Sequence, residues 1–479
     1  MLFNSLDFAI FMPIVFMIYW VFSKNVKAQN IFLLAASYFF YGWWDWRYLS
    51  LVLVCSIVNY LAGLLLMKTD HEKHRKLILI SCCVVSLGVL GIFKYYDFFV
   101  QAFVDAFSIL GIKMQAHTLK LILPVGISFY TFHTLSYTID VYRGKFDPTK
   151  NILSFFLFVS IFPLAMAGPI ERATNLLPQI YKKRTFDYEQ AVDGMRQILW
   201  GLFKKVAIAD SCAEIVNSTF ASYHTLPASA LVIGAIMFAF QIYGDFSGYS
   251  DMAIGIGKLL GFKFLRNFNY PYFSRDIAEF WRRWHMSLTT WFRDYLYIPL
   301  GGSRVSKWKI VRNTFVIYLV SGFWHGANWT FIVWGLFHAL LFVPLIVTEK
   351  NRKYTNSVAE GRLLPTFKET GQMLATFILV TIGWIFFRAD TIKDAMEYFS
   401  RICNSSIFIL PEMDIQFIIC TILITIMIII EWIGRNEQYA IAELGKKWKP
   451  VYRYILYYII LFLALCFAGD KQTFIYFQF

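Results

Sequence analysis

Two histidines lie in the part of the chain whose residue types could support proton transfer. His285 lies in the run WRRWHMSLTTWFRDYLYIPLGGSR, and His325 lies in the run FVIYLVSGFWHGANWTFIVW. Tryptophans surround both, with arginines near the first and glycines near the second. The pKa of an imidazole lies near neutral pH, so histidine can accept and return a proton during a reaction. The stretch 281–334 is therefore the candidate reaction centre.

The elements that must position these histidines are predicted to be membrane-spanning helices. Apolar residues make up 58% of the chain and charged residues 16%, against about 45–50% and about 25% in soluble domains. The apolar runs are long enough to cross a hydrocarbon core of about 30 Å, which needs roughly 20 helical residues. Because the runs are continuous, a β-barrel is excluded. We expect an all-α, polytopic integral membrane protein with a single membrane domain over residues 1–479.

The charge and the cysteines exclude other classes. The net charge is +14, but the basic residues lie in short loops between apolar runs. That distribution follows the positive-inside rule, so nucleic acid is not an expected partner and membrane lipid is. The seven cysteines mostly lie in or beside apolar runs without metal-ligand spacing. We predict that they are packing residues and that the chain has no metal site.

The hydropathy pattern predicts about eleven or twelve crossings. They cover residues 8–22, 31–44, 48–67, 77–93, 121–144, 195–215, 230–244, 315–323, 329–347, 373–387, 415–432 and 454–467. No basic residue precedes the first crossing, so twelve crossings leave both termini on the extracytoplasmic side. Residues 97–114 are predicted to lie along the interface, and residues 152–170 to form a re-entrant loop containing Pro163 and Pro169.

Several polar residues within apolar runs have two interpretations. Gln241, Asp245 and Tyr249 are spaced by four and share one face if their helix continues. Asp245 is then either a structural hydrogen-bond hub or a group that lines a cavity. A hydrogen bond to a neighbouring helix is the expected role of His133, and packing is the expected role of His338.

The face around His285 is both aromatic and basic. Residues 247–314 hold eleven Lys and Arg, and they are predicted to be cytoplasmic. Arg282, Arg283 and Arg293 would attract a polyanionic donor such as coenzyme A, or they would bind lipid phosphates. Both alternatives stay open.

The surroundings of His325 predict a bend within the membrane. Residues 315–323 are too short to cross unaided, and Gly322, Gly326 and Asn328 follow closely. A histidine beside Trp324 at such depth is costly, so it is expected to be functional. A buried structural histidine with a hydrogen-bonded neighbour is the alternative.

These runs resemble the membrane-bound O-acyltransferase (MBOAT) family. The resemblance rests on WRRWHMSLTTWFRDYLYIPLGG and FWHGANWTFIVWG, with LPVGISFYTFHTLSYTIDVYRG and QIYGDFSGYSDMAIG upstream, and it extends from MLFNSLDF to FIYFQF. Within the family, the chain is similar to the bacterial alginate O-acetyltransferase branch and its relatives acting on peptidoglycan, cellulose and teichoic acid.

The resemblance implies a ring of helices around a tunnel that joins a cytosolic donor entrance to an outer acceptor side. His325 matches the catalytic histidine in the WHG motif and His285 matches the second histidine. The family uses no permanently bound cofactor, and acetyl-CoA or an acyl carrier protein thioester is the expected donor. Trp324, Asn328, Arg282, Arg283, Asp245 and Gln241 are candidate donor-binding or tunnel-lining residues.

The terminal FIYFQF is similar to a motif that, in teichoic-acid D-alanylation, lies on a separate small membrane protein and offers a tyrosine as acyl relay. Residues 454–479 would then form a fused last span with an outward tail, and Tyr476 would be the relay. An interfacial anchor is the alternative role of this tyrosine.

The expected function is O-acetylation of an extracytoplasmic polysaccharide, alginate-like or another exopolysaccharide or cell-wall polymer, from the bacterial inner membrane. A lipase-like (SGNH) outer partner is expected to receive the acetyl group. The alternatives are D-alanyl or other acyl transfer to teichoic acid or peptidoglycan, a transporter without catalysis, whose broken helices would look alike, and a non-catalytic membrane scaffold.

Overall fold

The computed structural model describes residues 1–166, 168–411, 414–469 and 472–475 of the chain. As predicted, the protein is all-α, and the described residues contain no strand. The α-helices of the described part are α1 (Leu6–Val21), α2 (Val26–Asp45), α3 (Leu49–Lys68), α4 (Glu72–Ile109), α5 (Ile127–Tyr142), α6 (Ile152–Ser160), α7 (Phe162–Ala165), α8 (Ala173–Tyr181), α9 (Tyr188–Phe203), α10 (Ser211–Ala221), α11 (Ala228–Leu259), α12 (Ile277–Arg283), α13 (Met286–Phe292), α14 (Lys307–His325), α15 (Trp329–Val347), α16 (Phe367–Arg388), α17 (Ile392–Ile402), α18 (Ile415–Ile433) and α19 (Pro450–Cys466).

Seven helical segments of the described chain are long and apolar enough to cross a membrane, which confirms a multi-pass membrane protein. They are Leu6–Lys24, Val26–Lys68, Glu72–Ile109, Ala228–Leu259, Trp329–Val347, Phe367–Arg388 and Ile415–Ile433. The other predicted crossings correspond to shorter or more polar helices, so the total of eleven or twelve stays a prediction.

The surface of α18 shows how such a helix divides between protein and lipid. Cys420, Met427 and Glu431 are buried, whereas Ile422 and Ile429 are each 54% exposed. These positions recur at intervals of four and seven, so each set follows one face of the helix. An exposed face of isoleucines suits contact with hydrocarbon.

The described chain forms two compact units. Unit 1 comprises residues 1–191 and 257–265, and unit 2 comprises residues 192–256 and 266–479. In unit 1, Nε2 of His133 on α5 accepts a hydrogen bond of 2.9 Å from the backbone N–H of Glu171. His133 is therefore hydrogen-bonded as predicted, although its partner lies in a loop. Both candidate catalytic histidines belong to unit 2.

The stretches 97–114 and 152–170, predicted to lie along the interface and to form a re-entrant loop, both belong to unit 1. Residues 97–109 are the end of α4, which runs without interruption for 38 residues, and their position along the interface stays a prediction. The amphipathic pattern there continues the same helix. The re-entrant stretch contains α6 and α7, of nine and four residues. At about 1.5 Å per residue, neither is long enough to cross.

Helix α14 also differs from its prediction, which began the segment at residue 315. It starts at Lys307 and has 19 residues, so it is about 28 Å long, although it is not among the seven segments that are also apolar enough to cross. Lys309 and Arg312 lower the hydropathy of its first turns, but their side chains are exposed. His325 is the last residue of this helix, and the bend follows it. Helix α17 was not predicted at all.

Helices α14 and α15 form a tight antiparallel hairpin that carries His325. A Cβ added to Gly322 would lie 2.2 Å from the carbonyl oxygen of Phe331, and one added to Gly335 would lie 2.3 Å from that of Tyr318. Only glycine permits such a close backbone approach at these two positions. The hairpin therefore fixes His325 against α15.

The Gly335→Ala substitution should separate the two helices and destabilise the protein by about 1–3 kcal/mol, the usual range for overpacking. Thermal unfolding of the purified protein in detergent measures this change. The matched control is Gly371→Ala on α16, where an added Cβ meets no atom within 4 Å and the higher helix propensity of alanine should be neutral or stabilising. Equal melting temperatures for the two variants would contradict the close packing.

Candidate active site

His285 lies between α12 and α13 in a backbone conformation that is unusual for its residue type. Its φ of 42° and ψ of 53° are left-handed, a region that a residue with a Cβ enters at a cost of about 1–2 kcal/mol. The backbone N–H of Met286 donates to the carbonyl oxygen of Asn267 at 2.8 Å, which holds the turn. Strain of this kind clusters at functional sites.

Asn267 also orients the imidazole of His285. Its amide nitrogen donates to Oγ of Ser250 at 3.1 Å, and its Oδ1 accepts a hydrogen bond of 2.6 Å from Oγ of Ser287. Because Oδ1 is an acceptor, Nδ1 of His285, 3.3 Å away, is assigned as the protonated nitrogen. That tautomer leaves the lone pair on Nε2.

His325 ends α14 and is packed among aromatic rings. The side chain is 4% exposed. Its ring lies 4.9 Å from that of Trp324, 5.1 Å from Trp334 and 5.3 Å from Phe387, all in edge-on geometry. Such rings exclude water and hold the imidazole in one orientation.

Trp324 connects the two histidines. The centroid of its ring lies 6.0 Å from that of His285 and 4.9 Å from that of His325. The structure therefore brings together two predicted site residues that are forty positions apart in the sequence. Both imidazoles therefore pack near the same indole.

The other candidates near this pair make structural contacts. Asn328 caps α15 by accepting from the N–H of Thr330, and its amide donates to the carbonyl oxygen of Asp390 at 2.7 Å. Arg282 donates to the carbonyl oxygens of Asn351 and Tyr354. These contacts do not test a role in donor binding, which stays a prediction.

Arg283 is buried and paired. Its guanidinium lies 2.8 Å from Glu279, whose carboxylate also binds Arg275 at 3.0 Å. Both arginines donate to the carbonyl oxygen of Asn356. Arg283, a candidate for binding an anionic donor, is thus already paired inside unit 2.

The predicted face of α11 is continuous and buried. Gln241, Asp245 and Tyr249 are 8%, 3% and 0% exposed, respectively. Asp245 lies 2.7 Å from Nζ of Lys205 and accepts a hydrogen bond of 2.6 Å from the N–H of Ile475. It is therefore the centre of a hydrogen-bonded network, and the contacts do not test whether it also lines a tunnel.

Tyr476 lies outside the described residues, but the segment before it does not. Phe474 is fully buried, with its ring 4.9 Å from Tyr249 and 5.9 Å from Phe246. Phe246 in turn lies 4.6 Å from the ring of His285. The described end of the chain therefore packs one ring away from a candidate catalytic histidine.

A cavity of about 280 Å³ opens beside the end of α16. Arg388, which lines it, directly follows Phe387, the residue in contact with His325. Asp394 also lines the cavity, and hydrogen bonds from Thr391 hold the pKa of its carboxyl below the usual range. The backbone that carries Phe387 to His325 thus continues directly into the lining of this polar cavity.

The residue range 38–382 matches the family model for the membrane-bound O-acyltransferase family. The chain belongs to this family. The probable alginate O-acetylase of Pseudomonas aeruginosa is 40% identical over 86% of this chain and 77% of its own length. The peptidoglycan O-acetyltransferase of Helicobacter pylori is 32% identical over 100% and 98%, and the teichoic acid D-alanyltransferase of Bacillus subtilis is 28% identical over 56% and 69%.

Membership makes the protein an acyltransferase that uses an acyl donor as substrate. Several residues around the two histidines of this O-acyltransferase were not predicted from the sequence. Asn267 orients His285 and Phe387 contacts His325, yet neither lies in one of the motifs that indicate chemistry, whereas Phe246 and Trp334 lie within such motifs but were not singled out. His338, predicted to be a packing residue, is fully buried against Trp334.

The left-handed backbone at His285 predicts that glycine is more stable than alanine at this position, the reverse of the order in a regular helix. Because glycine enters this region without penalty, the His285→Gly variant should be about 1 kcal/mol more stable than His285→Ala, although both lack the ring. Thermal unfolding of the two purified variants provides the comparison. At Met396, exposed on α17, alanine should instead be more stable than glycine. The same order at both positions would mean that the His285 backbone is unstrained.

Proposed function

We propose that this membrane-bound O-acyltransferase takes an acetyl group from a cytosolic thioester and delivers it for O-acetylation of an extracytoplasmic polysaccharide, with His325 as the general base. The observation that carries the proposal is the pair of buried imidazoles that both pack near Trp324 in unit 2. The relatives whose names give alginate or peptidoglycan acetylation support the acetyl group and the polymer acceptor.

The reaction needs few groups because a thioester is already activated. A hydroxyl oxygen attacks the thioester carbonyl carbon, and His325 takes the hydroxyl proton. The C–S bond then breaks, an ester forms, and the imidazolium returns the proton to the leaving thiolate. Donors that stabilise the developing oxyanion add to the rate. His325 is buried among aromatic rings, where water competes little for the acyl group.

His285 is proposed to orient the donor or to shuttle a proton. The hydrogen bond to Asn267 assigns the proton to Nδ1 and leaves Nε2 as the acceptor. A group in this state can receive a proton from His325 or from the donor thiol and release it again. The strained backbone keeps the ring in a fixed direction during that exchange.

Tyr476 is proposed as the first hydroxyl acceptor. Its oxygen would carry the acetyl group as an aryl ester, and a second hydroxyl would then attack that ester and restore the tyrosine. The described segment 472–475 packs against Phe246, which contacts His285, and this supports a relay close to the histidines. An aryl ester is more reactive than an alkyl ester, so the second transfer is favourable.

The proposed orientation puts the protein in the bacterial inner membrane with both termini extracytoplasmic. Lys307 and Lys309 begin α14, at the end of that helix opposite to His325, and the positive-inside rule assigns them to the cytoplasm. The cavity beside Arg388 is at the His325 end of the hairpin. A lipase-like (SGNH) partner or the polymer itself would approach there, while acetyl-CoA or a carrier-protein thioester would enter from the basic side.

A second candidate is transfer of D-alanine to teichoic acid. It is favoured by the similarity to the teichoic acid D-alanyltransferase of Bacillus subtilis, which covers only 56% of this chain. The two acetyl-transferring relatives cover more of the chain at higher identity. Supplying the purified protein with acetyl and D-alanyl thioesters in turn separates the two candidates by which acyl group is transferred.

The His325→Gln substitution should lower acetyl transfer by at least about a hundredfold, since general acid–base catalysis typically contributes that much. Glutamine keeps a neutral polar side chain but cannot take up the proton. Thiol release from acetyl-CoA by the purified protein in liposomes measures the loss. The melting temperature serves as a control for folding, and His74→Ala, at an exposed position in the first turn of α4, should retain full activity. An active glutamine variant would remove His325 from the mechanism.

The Tyr476→Phe substitution should abolish covalent labelling of the chain by acetyl-CoA that carries a radioactive acetyl group. Phenylalanine keeps the ring and removes only the hydroxyl. Tyr458→Phe, on an exposed face of α19, is the matched control and should leave labelling unchanged. Undiminished labelling and transfer in the Tyr476→Phe protein would exclude an acyl-tyrosine intermediate.

A further inference from the structure

We propose that Lys205, Asp210 and Asp245 form a buried clamp that holds the carboxy-terminal segment 472–475 beside His285. We call these three residues the C-terminal clamp. They act as positioning residues, not as groups that touch the acyl donor. The link between the clamp and catalysis depends on the proposed relay at Tyr476, whereas the clamp itself depends only on the contacts described below.

A short π-helix builds the first half of the clamp. Residues 204–210 connect α9 to α10 with π-helical hydrogen bonding, in which residues five apart are bonded across one turn. Lys205 and Asp210 are five apart, and Nζ of Lys205 lies 2.7 Å from Oδ1 of Asp210. An ordinary α-helix would point these two side chains in different directions. The π-turn therefore creates the ion pair.

Helix α11 supplies the second half. Oδ1 of Asp245 lies 2.7 Å from Nζ of Lys205, so a single ammonium group is shared by two carboxylates. The three side chains are between 1% and 4% exposed. A Cβ on Gly244 would lie 2.9 Å from the carbonyl oxygen of Lys204, which shows how closely α11 approaches the π-turn. Charges at such depth are retained only when they are paired.

The carboxy-terminal segment completes the network. The backbone N–H of Ile475 in this segment donates to Oδ2 of Asp245 at 2.6 Å. The Nζ atom of Lys205 lies 3.4 Å from the carbonyl oxygen of Gln472. Two further contacts guide the chain from α19 to this point. Oγ of Ser211 donates to the carbonyl oxygen of Phe467 at 3.1 Å, and a Cβ on Gly469 would lie 2.7 Å from the backbone of Asp210.

This tether sets the direction of the segment. Phe474 and Ile475 are 0% and 2% exposed, and the ring of Phe474 packs between Tyr249 and Phe246. Because Phe246 also contacts His285, the clamp delivers the described end of the chain to the candidate site. Tyr476 is the next residue in the sequence.

The charges of the clamp favour the hydrogen bond between Asp245 and the carboxy-terminal segment. Two carboxylates and one ammonium leave one excess negative charge, which the N–H of Ile475 partly offsets. An asparagine at position 245 offers one acceptor and one NH2 donor in place of two acceptors. It can satisfy Lys205 or Ile475 but not both, while the remaining Lys205–Asp210 pair stays neutral overall. The substitution should therefore release the segment without leaving an unpaired buried charge.

Carboxypeptidase digestion followed by intact mass measurement tests the clamp directly. In the wild-type protein in detergent, Ile475 should be removed slowly, and in Asp245→Asn it should be removed about ten to a hundred times faster, the range expected for a lost charge-assisted hydrogen bond. Asp251→Asn is the matched control, since Asp251 is also on α11 and pairs with Lys204 at 2.6 Å and Gln197 at 2.8 Å. In the Asp251→Asn protein, carboxypeptidase should remove Ile475 at the wild-type rate. Equal trimming rates in all three proteins would overturn the proposal.

A second pair of variants covers the case in which Asp245→Asn fails to fold. Lys205→Met removes the charge at similar length and should release Ile475, whereas Lys205→Arg keeps a cation and should restore slow trimming. Release in both, or in neither, counts against the clamp.

Acetyl transfer separates this proposal from the relay. Asp245→Asn should lose transfer in parallel with release of the segment, and Asp251→Asn should retain it. If Tyr476→Phe proves fully active while Asp245→Asn is still trimmed faster, the relay is wrong and the clamp stands. If the Tyr476→Phe protein is inactive and Asp245→Asn is trimmed like the wild type, the clamp is wrong and the relay stands.

Discussion

An ionised side chain inside a membrane protein must meet an opposite charge or several hydrogen bonds, and this requirement organises unit 2. Lys205 holds α11 and the chain end near the π-turn through Asp245 and Gln472. Glu279 holds the guanidinium groups that tie α12 to the loop around residue 356. The contacts of Lys205 with Asp245 and Gln472, and those of the two guanidinium groups with Asn356, join segments that are far apart in the sequence, so the buried charges act as long-range connections. Aromatic packing then fills the space between them.

The histidines are positioned by two different means. His325 depends on close helix packing, because Gly322 and Gly335 let α14 and α15 approach until backbone meets backbone. His285 depends on a strained turn held by the side chain and backbone of Asn267. The ring of Trp324 packs near both of the histidines that are positioned in this way. A reaction that needs two imidazoles at a fixed separation is served better by two rigid supports than by one flexible loop.

Much of this architecture is visible in the sequence, because hydropathy and spacing report local structure. The long apolar helices, the continuous face of Gln241, Asp245 and Tyr249, and the need of Asp245 for a partner are all predictable from residue type and period. The start of α14 is not, since Lys309 and Arg312 mask an otherwise regular helix. The partner of Asp245 is not predictable from the sequence either. Nothing in the sequence indicates that Lys205 lies near a carboxylate. An α-helical period would separate it from Asp210, and only the π-turn brings these two residues together. The left-handed backbone of a histidine has no sequence signal at all.

The π-turn also determines how this region responds to a change in length. A turn with one extra residue can revert to the α-helical form by losing that residue, and two residues that were five apart are then four apart and stay on one face of the helix. Lys205 and Asp210 would therefore still face each other after such a loss. In the regular helices on either side, the loss of one residue would instead rotate every later position by about 100°. A one-residue deletion between Lys205 and Asp210 should therefore disturb the buried ion pair less than a deletion of the same size in α9 or α10.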